Sequence, residues 1–359
     1  MKRILCCVLA VLTLLGTAGC AAKEPVVETT EAAAETTQMP ETTEATIVPT
    51  EPVYEGSLFL KASSVNLSLV GDTEDIYLGL IPKEAVTWES DDESVVTFQD
   101  GVLTATGVGS TTVRAIYRDQ VVECKAGCLA NTQEELLQLP EEVLRAPRRL
   151  PPAIDLTSEC TELDEATIIG DSITYFLFQW ESRYDYMGKV QFLAKGGVSL
   201  NGFVLRFKNI SYRGREMNLE DAIAASGVKK AFIMMGQNDI SSKARVKVME
   251  NWTILLERIR EKAPDVEIYI QSCIPERSTE AKTNEKNERI YTYNETLRQF
   301  AKDNGCKFID LEYYIKDHVD KMPVGYSQGN YHMNEQGCLA WMQILRFYAE
   351  YENEGGILE

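Results

Sequence analysis

The sequence has only two histidines and no excess of basic residues. Both shortages limit the functions that the protein can have. Its 36 lysines and arginines stand against 55 aspartates and glutamates, which leaves a formal net charge of −19 at pH 7. Because a phosphate backbone needs a basic face, the composition argues against nucleic acid as a partner. Any reaction that needs a histidine base must use His318 or His332.

The nine cysteines show no spacing of paired CxxC motifs that would indicate a zinc site. Cys6, Cys7 and Cys20 lie in the first twenty residues. Cys273 and Cys306 fall in apolar strand segments, where a buried free thiol is the expected state. The sequence therefore predicts no metal centre, and it leaves the disulfide state open.

No apolar run at the N-terminus is long enough to span a bilayer comfortably. The run over residues 4–15 follows Lys2 and Arg3 and leads to a small-residue segment, which is typical of a secretory signal. Ala-Gly-Cys at 18–20 resembles the lipobox of bacterial lipoproteins, although the usual leucine is replaced by Thr17. The resemblance implies a signal peptide over 1–20 and a lipid anchor on Cys20, which would attach the protein to the outer face of a bacterial membrane.

Residues 21–56 are rich in glutamate, threonine, alanine and proline and have almost no aromatic side chain. Such a stretch cannot bury enough apolar surface to offset the entropy of ordering it. We therefore predict a disordered tether that holds the rest of the chain away from the membrane.

Residues 57–128 contain short apolar runs that alternate with polar residues and are broken by turns. Period-two alternation in strands this short predicts a small β-sandwich. Trp88 and the glycine-containing turn at Gly109 resemble the bacterial immunoglobulin-like group 2 domain. That resemblance implies a tryptophan in the core and a spacer or module that contacts the cell wall, with specific sugar or protein binding as the alternative.

Residues 129–160 are predicted to link this sandwich to a second domain. A helix is expected over 133–146 despite Pro140, followed by an extended segment over 147–152.

Residues 161–353 alternate between near-continuous apolar strands and amphipathic helices, which predicts an α/β fold with a parallel sheet covered on both faces. The predicted strands are 166–169, 190–194, 229–235, 266–273 and 306–311. The predicted helices begin after Ser172 and cover 219–225, 243–262, 285–303 and 334–350. Ligands bind at the carboxyl ends of strands in such sheets, where Ser172 and Asn238 lie.

Three segments together contain the parts of a serine nucleophile site. The segment ATIIGDSIT places Ser172 directly after a strand, AFIMMGQND ends in Asn238 and Asp239, and GNYHMN contains His332. Ester hydrolysis by serine needs a base for the hydroxyl proton and donors for the oxyanion. Ser172 is also predicted to lie at a helix N-terminus, whose free N–H groups stabilise the negative charge that develops during the reaction. Asp239, like Asp171, is predicted to fix its turn.

These motifs in this order resemble the SGNH or GDSL-type hydrolases, a family of serine esterases and acyl hydrolases, over residues 160–350. The resemblance implies a flavodoxin-like five-stranded sheet and no metal or organic cofactor. It also implies an oxyanion hole formed by the backbone N–H of Ser172, a glycine N–H and the side chain of Asn238. The glycine is expected to be Gly197, with Gly196 as the competing choice.

His332 is the predicted base, because His318 lies in a charged stretch typical of a solvated helix face. The family usually has an aspartate three residues before this histidine, and here that residue is Gly329. Gln328 could stand at this place if Asn330 is an insertion, but a neutral amide cannot stabilise an imidazolium as a carboxylate does. What orients the ring stays open. The acidic candidates nearby in sequence are Asp310, Asp317, Asp320 and Glu335.

The sequence thus predicts a surface-anchored serine esterase that removes acyl groups through an acyl-enzyme on Ser172, with acetyl groups of glycans as the expected substrate groups. Its substrate would be a small acyl ester or an acylated glycan. One alternative is acyl transfer to a sugar hydroxyl. A second is a catalytically weak adhesion protein, in which the missing aspartate marks a decayed site. The polar run 275–287 is a candidate lid or specificity loop on position alone.

Overall fold

The computed structural model describes residues 52–205, 210–240 and 245–358. The predicted signal peptide (1–20), the anchor Cys20 and most of the predicted tether lie outside the described residues. Residues 53–358 belong to one compact unit, which contains both predicted domains.

The first quarter of the described chain forms a β-sandwich, because alternate side chains of its short strands are apolar and face a shared core. In chain order the strands are β1 (Leu58–Leu60), β2 (Ser64–Leu69), β3 (Thr73–Asp75), β4 (Tyr77–Gly79), β5 (Thr87–Ser90), β6 (Val96–Gln99), β7 (Val102–Ala105), β8 (Gly109–Tyr117) and β9 (Gln120–Ala130). Strands β3, β7 and β6 form one antiparallel sheet. The larger sheet contains β2, β9, β8 and β5, with β2 and β9 parallel. Trp88 packs edge-on between Tyr77 and Phe98, with both ring-centroid distances 5.0 Å.

The predicted linker 129–160 contains two short helices, α1 (Gln133–Leu137) and α2 (Glu141–Leu144), and the strand β10 (Arg149–Leu150). One continuous helix does not form, because Pro140 lacks an N–H and lies at the N-cap of α2. Strand β10 pairs with β2 and so extends the larger sheet of the sandwich.

The remainder is an α/β region, and the predicted fold class is confirmed. Its strands are β11 (Ala166–Gly170), β12 (Gln191–Ala194), β13 (Ile210–Tyr212), β14 (Arg215–Met217), β15 (Lys230–Met234), β16 (Glu267–Gln271), β17 (Lys307–Ile309), β18 (Ser327–Gln328) and β19 (His332–Met333). Its helices are α3 (Ser172–Tyr184), α4 (Leu200–Val204), α5 (Leu219–Ser226), α6 (Arg245–Lys262), α7 (Ala281–Asp303), α8 (Leu311–Tyr314) and α9 (Glu335–Asn353). The central sheet is parallel with the order β12-β11-β15-β16-β17. This is the flavodoxin-like order, and β13–β14 and β18–β19 are separate hairpins.

The sandwich and the α/β region pack directly against each other. Phe59 of β1 is 7% exposed, and its ring lies edge-on to Phe347 and Tyr351 of α9 at centroid distances of 5.8 and 5.2 Å. The guanidinium of Arg149 in β10 bridges the two regions, because it pairs with the carboxylate of Glu74 at 2.5 Å and donates to the carbonyl of Tyr313 at 3.1 Å. This face of the sandwich is therefore part of the protein interior.

Within the described ranges, no helix is both long and apolar enough to cross a membrane. The same residues contain no cluster of histidine, cysteine and acidic side chains that could bind a metal. Cys273 and Cys306 are buried and free, as predicted.

Candidate active site

Ser172 lies where a fully buried strand meets a helix. All five residues of β11 are buried, and the chain turns through Asp171 into α3, which begins at Ser172. One Asp171 oxygen accepts a hydrogen bond from the backbone N–H of Ile173 at 2.9 Å and so caps the helix. The Ser172 hydroxyl is thereby placed at the carboxyl end of β11 and at the N-terminus of α3, as the sequence predicted.

His332 is brought to Ser172 by a separate hairpin. It begins β19, pairs with Gln328 of β18, and its Nε2 lies 3.0 Å from the Ser172 Oγ. Phe176, one helical turn after Ser172, stacks on the imidazole with a centroid distance of 4.5 Å and an interplanar angle of 18°. Residues four apart on a helix share a face, so the predicted helix after Ser172 already pointed to Phe176 as a neighbour of the site.

The second ring nitrogen of His332, Nδ1, has no hydrogen-bond partner among the described residues. The acidic candidates are engaged elsewhere. Asp310 pairs with Arg298, Asp317 with Arg145, Asp320 with Arg148, and Glu335 accepts from the hydroxyl of Tyr184. Among the residues that the structure describes, no carboxylate therefore completes the Ser–His pair, and Gln328 is exposed.

Burial lowers the pKa of His332 below its usual 6.5. Desolvation disfavours the charged imidazolium, and no acidic group opposes it here. The ring is consequently neutral, and able to accept a proton, at neutral pH.

His318 is not on a solvated helix face, and that prediction was wrong. It is 5% exposed, and its Nδ1 lies 3.0 Å from the Ser68 Oγ in the sandwich. Burial lowers the pKa of His318 to about 4. Ser68 lies 250 residues earlier in the chain, so the charged neighbours of His318 gave no sign of this contact.

Asn238 follows β15 at the same edge of the sheet, with both of its amide hydrogens in use. Its Nδ2 donates to Asp171 Oδ2 and to the carbonyl of Val198, each at 2.8 Å. An amide nitrogen has two hydrogens, so donation to an oxyanion would have to replace or share one of these bonds. The role of Asn238 as an oxyanion donor stays a prediction. In this structure, both hydrogens of its amide are bonded to local acceptors.

Asp171 and Asp239 hold the turns around the site. The Asp239 carboxylate accepts from the backbone N–H groups of Leu200 and Asn201 at 2.8 and 3.0 Å, which joins the loop after β15 to the N-terminus of α4. Burial raises the pKa of Asp171 to about 6, and burial also raises that of Asp239. Both positions fit the predicted structural roles.

The two candidate oxyanion glycines lie in the loop after β12. Gly196 and Gly197 are exposed, and their backbone N–H groups donate to no acceptor in the described chain. Gly197 has a φ of +75°, which favours glycine because it lacks a Cβ. The geometry leaves the choice between the two glycines open.

The sequence is similar to one protein family over this region. Residues 168–339 match the model of the GDSL-like Lipase/Acylhydrolase family. No curated protein matches the chain.

Several solved structures are similar to the α/β region. A GDSL-like lipase from Bacteroides thetaiotaomicron is 13% identical, covers 54% of this chain and 92% of its own, and has a TM-score of 0.43. A member of the lipolytic G-D-S-L family from Veillonella parvula is 19% identical, with coverages of 52% and 96% and a TM-score of 0.35. An acetyl xylan esterase from Geobacillus stearothermophilus is 15% identical, with coverages of 54% and 96% and a TM-score of 0.36.

Proposed function

We propose that Ser172 and His332 form the dyad of a serine esterase that removes acyl groups from glycans. The match of residues 168–339 to the GDSL-like Lipase/Acylhydrolase family supports this proposal. The observation that carries this proposal is the 3.0 Å distance between His332 Nε2 and Ser172 Oγ. That distance is within the range required of a nucleophile and its base.

The first half of the reaction forms an acyl-enzyme. His332 Nε2 takes the proton of the Ser172 hydroxyl as Oγ attacks the ester carbonyl, and the carbonyl oxygen becomes an oxyanion. Backbone N–H groups of Ser172 and Gly197, together with Asn238, would stabilise that charge. When the intermediate collapses, the bond to the alcohol breaks and His332 gives its proton to the departing oxygen.

The second half returns the enzyme to its starting state. His332 takes a proton from water as the water oxygen attacks the acyl-enzyme, and the carboxylic acid leaves as Ser172 regains its proton. The dyad requires a proton on Nδ1 so that Nε2 can accept. Without a carboxylate at Nδ1, nothing in the described chain offsets the positive charge of the imidazolium, so we expect slower turnover than a full triad provides.

A glycan substrate is supported by the surface around the dyad. Tyr175 and Phe178 on α3 and Tyr331 beside His332 are exposed large aromatic side chains. The apolar faces of such rings can pack against the C–H faces of sugar rings, and the two tyrosines add a hydroxyl that can hydrogen-bond. The site also lies at an open edge of the sheet, where Ser172 and His332 are both half-buried.

The test compares acetate release from p-nitrophenyl acetate and from an acetylated oligosaccharide by wild type and Ser172→Ala. We expect the variant to lose at least about 10⁴-fold in turnover. Ser182→Ala is the matched control, because Ser182 is exposed on the same helix and its hydroxyl donates to the carbonyl of Phe178. Activity above a few per cent in Ser172→Ala would exclude Ser172 as the nucleophile, and transfer of acetyl to a sugar instead of its release would favour the acyltransferase alternative.

We also propose that the protein is anchored to the membrane surface through lipidated Cys20. The support is the Ala-Gly-Cys segment that follows the apolar run over residues 4–15. Cys20→Ser should then move the protein from the membrane fraction to the soluble fraction, while Cys7→Ser, a change inside the signal, should not. Unchanged membrane retention of Cys20→Ser would contradict the anchor.

We further propose that the sandwich is an immunoglobulin-like module that contacts the cell wall. The packing of Trp88 against Tyr77 and Phe98 supports the resemblance to that domain. Cosedimentation of the mature protein with purified peptidoglycan tests the wall contact, and recovery of all protein in the supernatant would contradict it.

A further inference from the structure

The tip of the His332 hairpin is tied to the loop that follows β16. Asn330 is half-buried although both of its chain neighbours are exposed. Its side-chain carbonyl accepts from the backbone N–H of Ser278 at 2.6 Å, and its Nδ2 donates to Glu276 Oε2 at 3.1 Å. Its backbone carbonyl accepts from the N–H of Arg277 at 3.1 Å. These three bonds fix the tip two residues before the histidine.

Glu276 is a rigid partner for this asparagine. It is 2% exposed, and its carboxylate pairs with the ammonium of Lys286. Its backbone N–H and carbonyl are bonded to the side chain of Asn287 at 2.8 and 3.0 Å, and the carbonyl also accepts from the N–H of Met322 at 3.2 Å. A buried carboxylate is stable only when it is paired and hydrogen-bonded, so Glu276 has one well-defined position.

These contacts also change the interpretation of the polar run 275–287. Residues 272–276 are buried, and α7 already begins at Ala281. Within that run, Glu276 is buried and serves as an attachment point, whereas Arg277, Thr279 and Glu280 are exposed.

The attachment matters because the His332 ring has few contacts of its own. Nε2 faces Ser172, Phe176 restricts the tilt of the ring, and Nδ1 has no partner among the described residues. In a triad, the carboxylate would fix the ring directly. Here the position of the ring depends on the backbone of its hairpin, and a misplacement of about 1 Å can cost on the order of 10²-fold in rate.

We propose that Asn330 and Glu276 are positioning residues that keep the His332 ring in register with Ser172. They perform through the hairpin backbone the orienting task that a carboxylate at position 329 would perform in a triad. This inference rests on the proposed roles of Ser172 and His332 as nucleophile and base.

The first test is Asn330→Ala, which removes both side-chain bonds and leaves the backbone bond to Arg277. We expect kcat for p-nitrophenyl acetate to fall about 10 to 10²-fold, with KM unchanged within about twofold. Gln328→Ala is the matched control, because Gln328 is exposed in the same hairpin and pairs with His332 only through the strand ladder. Its kcat should stay within about twofold of wild type.

The second test uses the conservative change at Glu276. Glu276→Gln keeps an acceptor oxygen for Asn330 Nδ2, whereas Glu276→Ala removes it, so kcat should be closer to wild type in the glutamine variant. Because Glu276 is buried, the unfolding temperature of each variant is measured, and rates are compared where both are fully folded. Equal loss of kcat in both variants would contradict the role of this hydrogen bond.

A readout independent of activity comes from the small number of histidines. In tag-free protein with labelled histidine, NMR shows ring signals from only His318 and His332, which His332→Ala assigns. We expect the His332 signal to shift or double in Asn330→Ala and to stay in place in Gln328→Ala. If that shift occurs but wild type hydrolyses no ester, the positioning role stands and the esterase proposal fails. If Asn330→Ala leaves kcat and the His332 signal unchanged, the positioning role is refuted.

Discussion

Two regions of the molecule differ in burial and in the number of contacts that their side chains make. One is the edge of the sheet around Ser172, and the other is the junction between the sandwich and the α/β region. At the edge, Ser172 and His332 are half-buried and bonded chiefly to each other. At the junction, Phe59 is packed against two aromatic rings of α9, and Arg149 is paired with Glu74 at low exposure on both sides.

This difference indicates how the molecule divides stability and chemistry. Residues with dense contacts resist displacement, whereas a nucleophile and its base must stay accessible to substrate and solvent. Substitutions at the junction should therefore change the free energy of unfolding, and substitutions at the edge should change the rate.

The largest expected effect is the loss of the base. His332→Ala should lower kcat by about 10⁴ to 10⁶-fold, because Ser172 then has no proton acceptor, and it should leave the unfolding temperature near that of wild type. His318→Ala should do the reverse, since His318 is buried against Ser68. Rates of acetyl ester hydrolysis and thermal unfolding of both variants check this. A comparable loss of rate in both variants would contradict the division.

The next effect lies at the junction. Phe59→Ala should lower the free energy of unfolding by about 3 to 5 kcal/mol, because it empties a buried aromatic position, while kcat at a permissive temperature stays near wild type. Val121→Ala, at an exposed position in the sandwich, is the control and should change stability little. Urea unfolding followed by tryptophan fluorescence measures both. Loss of sandwich structure with an unchanged α/β transition would show that the two regions unfold separately.

Asn238 tests whether one residue can contribute both to the rate of the reaction and to the stability of the fold. Asn238→Ala should lower kcat by about 10² to 10³-fold if its amide serves the oxyanion. Its bonds to Asp171 and Val198 predict some loss of stability as well. Steady-state kinetics separate the two, and an effect on KM or stability alone would assign Asn238 a purely structural role.

The smallest effect concerns the missing carboxylate. His332 must be neutral to act as base, and burial lowers its pKa below 6.5, so kcat/KM should fall only as pH drops below about 6.5. The rise of the Asp171 pKa to about 6 adds a second group that protonates in the same range. Gly329→Asp should raise the His332 pKa, move this acid limb to higher pH, and increase kcat by up to about tenfold.

Position 329 can accept that side chain at moderate cost. The φ of Gly329 is +71°, and a Cβ there would meet nothing within 4 Å. Aspartate tolerates this left-handed conformation better than most residues, at a cost of about 1 to 2 kcal/mol. A wild-type acid limb above pH 7, measured between pH 4 and 9, would contradict the absence of a carboxylate partner.

The sequence predicted the elements that depend on local patterns. Alternation and helical periodicity located the strands of the central sheet and the longer helices α3, α5, α6, α7 and α9 to within a few residues, whereas the short helices α4 and α8 were missed. Strand β3 was missed, because its residues Thr73–Asp75 are all polar and it forms by pairing with β7. The helix over 133–146 was expected to be continuous, but Pro140 divides it.

The features that the sequence did not reveal depend on contacts between distant segments. The bond between Ser68 and His318 joins residues 250 positions apart, and Asn330 reaches Glu276 across 54 positions. No periodicity encodes such pairs. Motif order did predict that Ser172 and His332 would meet, but it could not show that the amide hydrogens of Asn238 are already engaged.

The most direct test of the central claim is the site of covalent modification by a fluorophosphonate. Wild type, Ser172→Ala and His332→Ala would each be treated with excess reagent and analysed by intact mass and peptide mapping. If Ser172 is the nucleophile and His332 its base, wild type should gain one phosphonyl group, located at Ser172. Ser172→Ala should gain none, and addition to His332→Ala should be much slower. An adduct on Ser172→Ala, or addition to His332→Ala at the wild-type rate, would contradict this assignment.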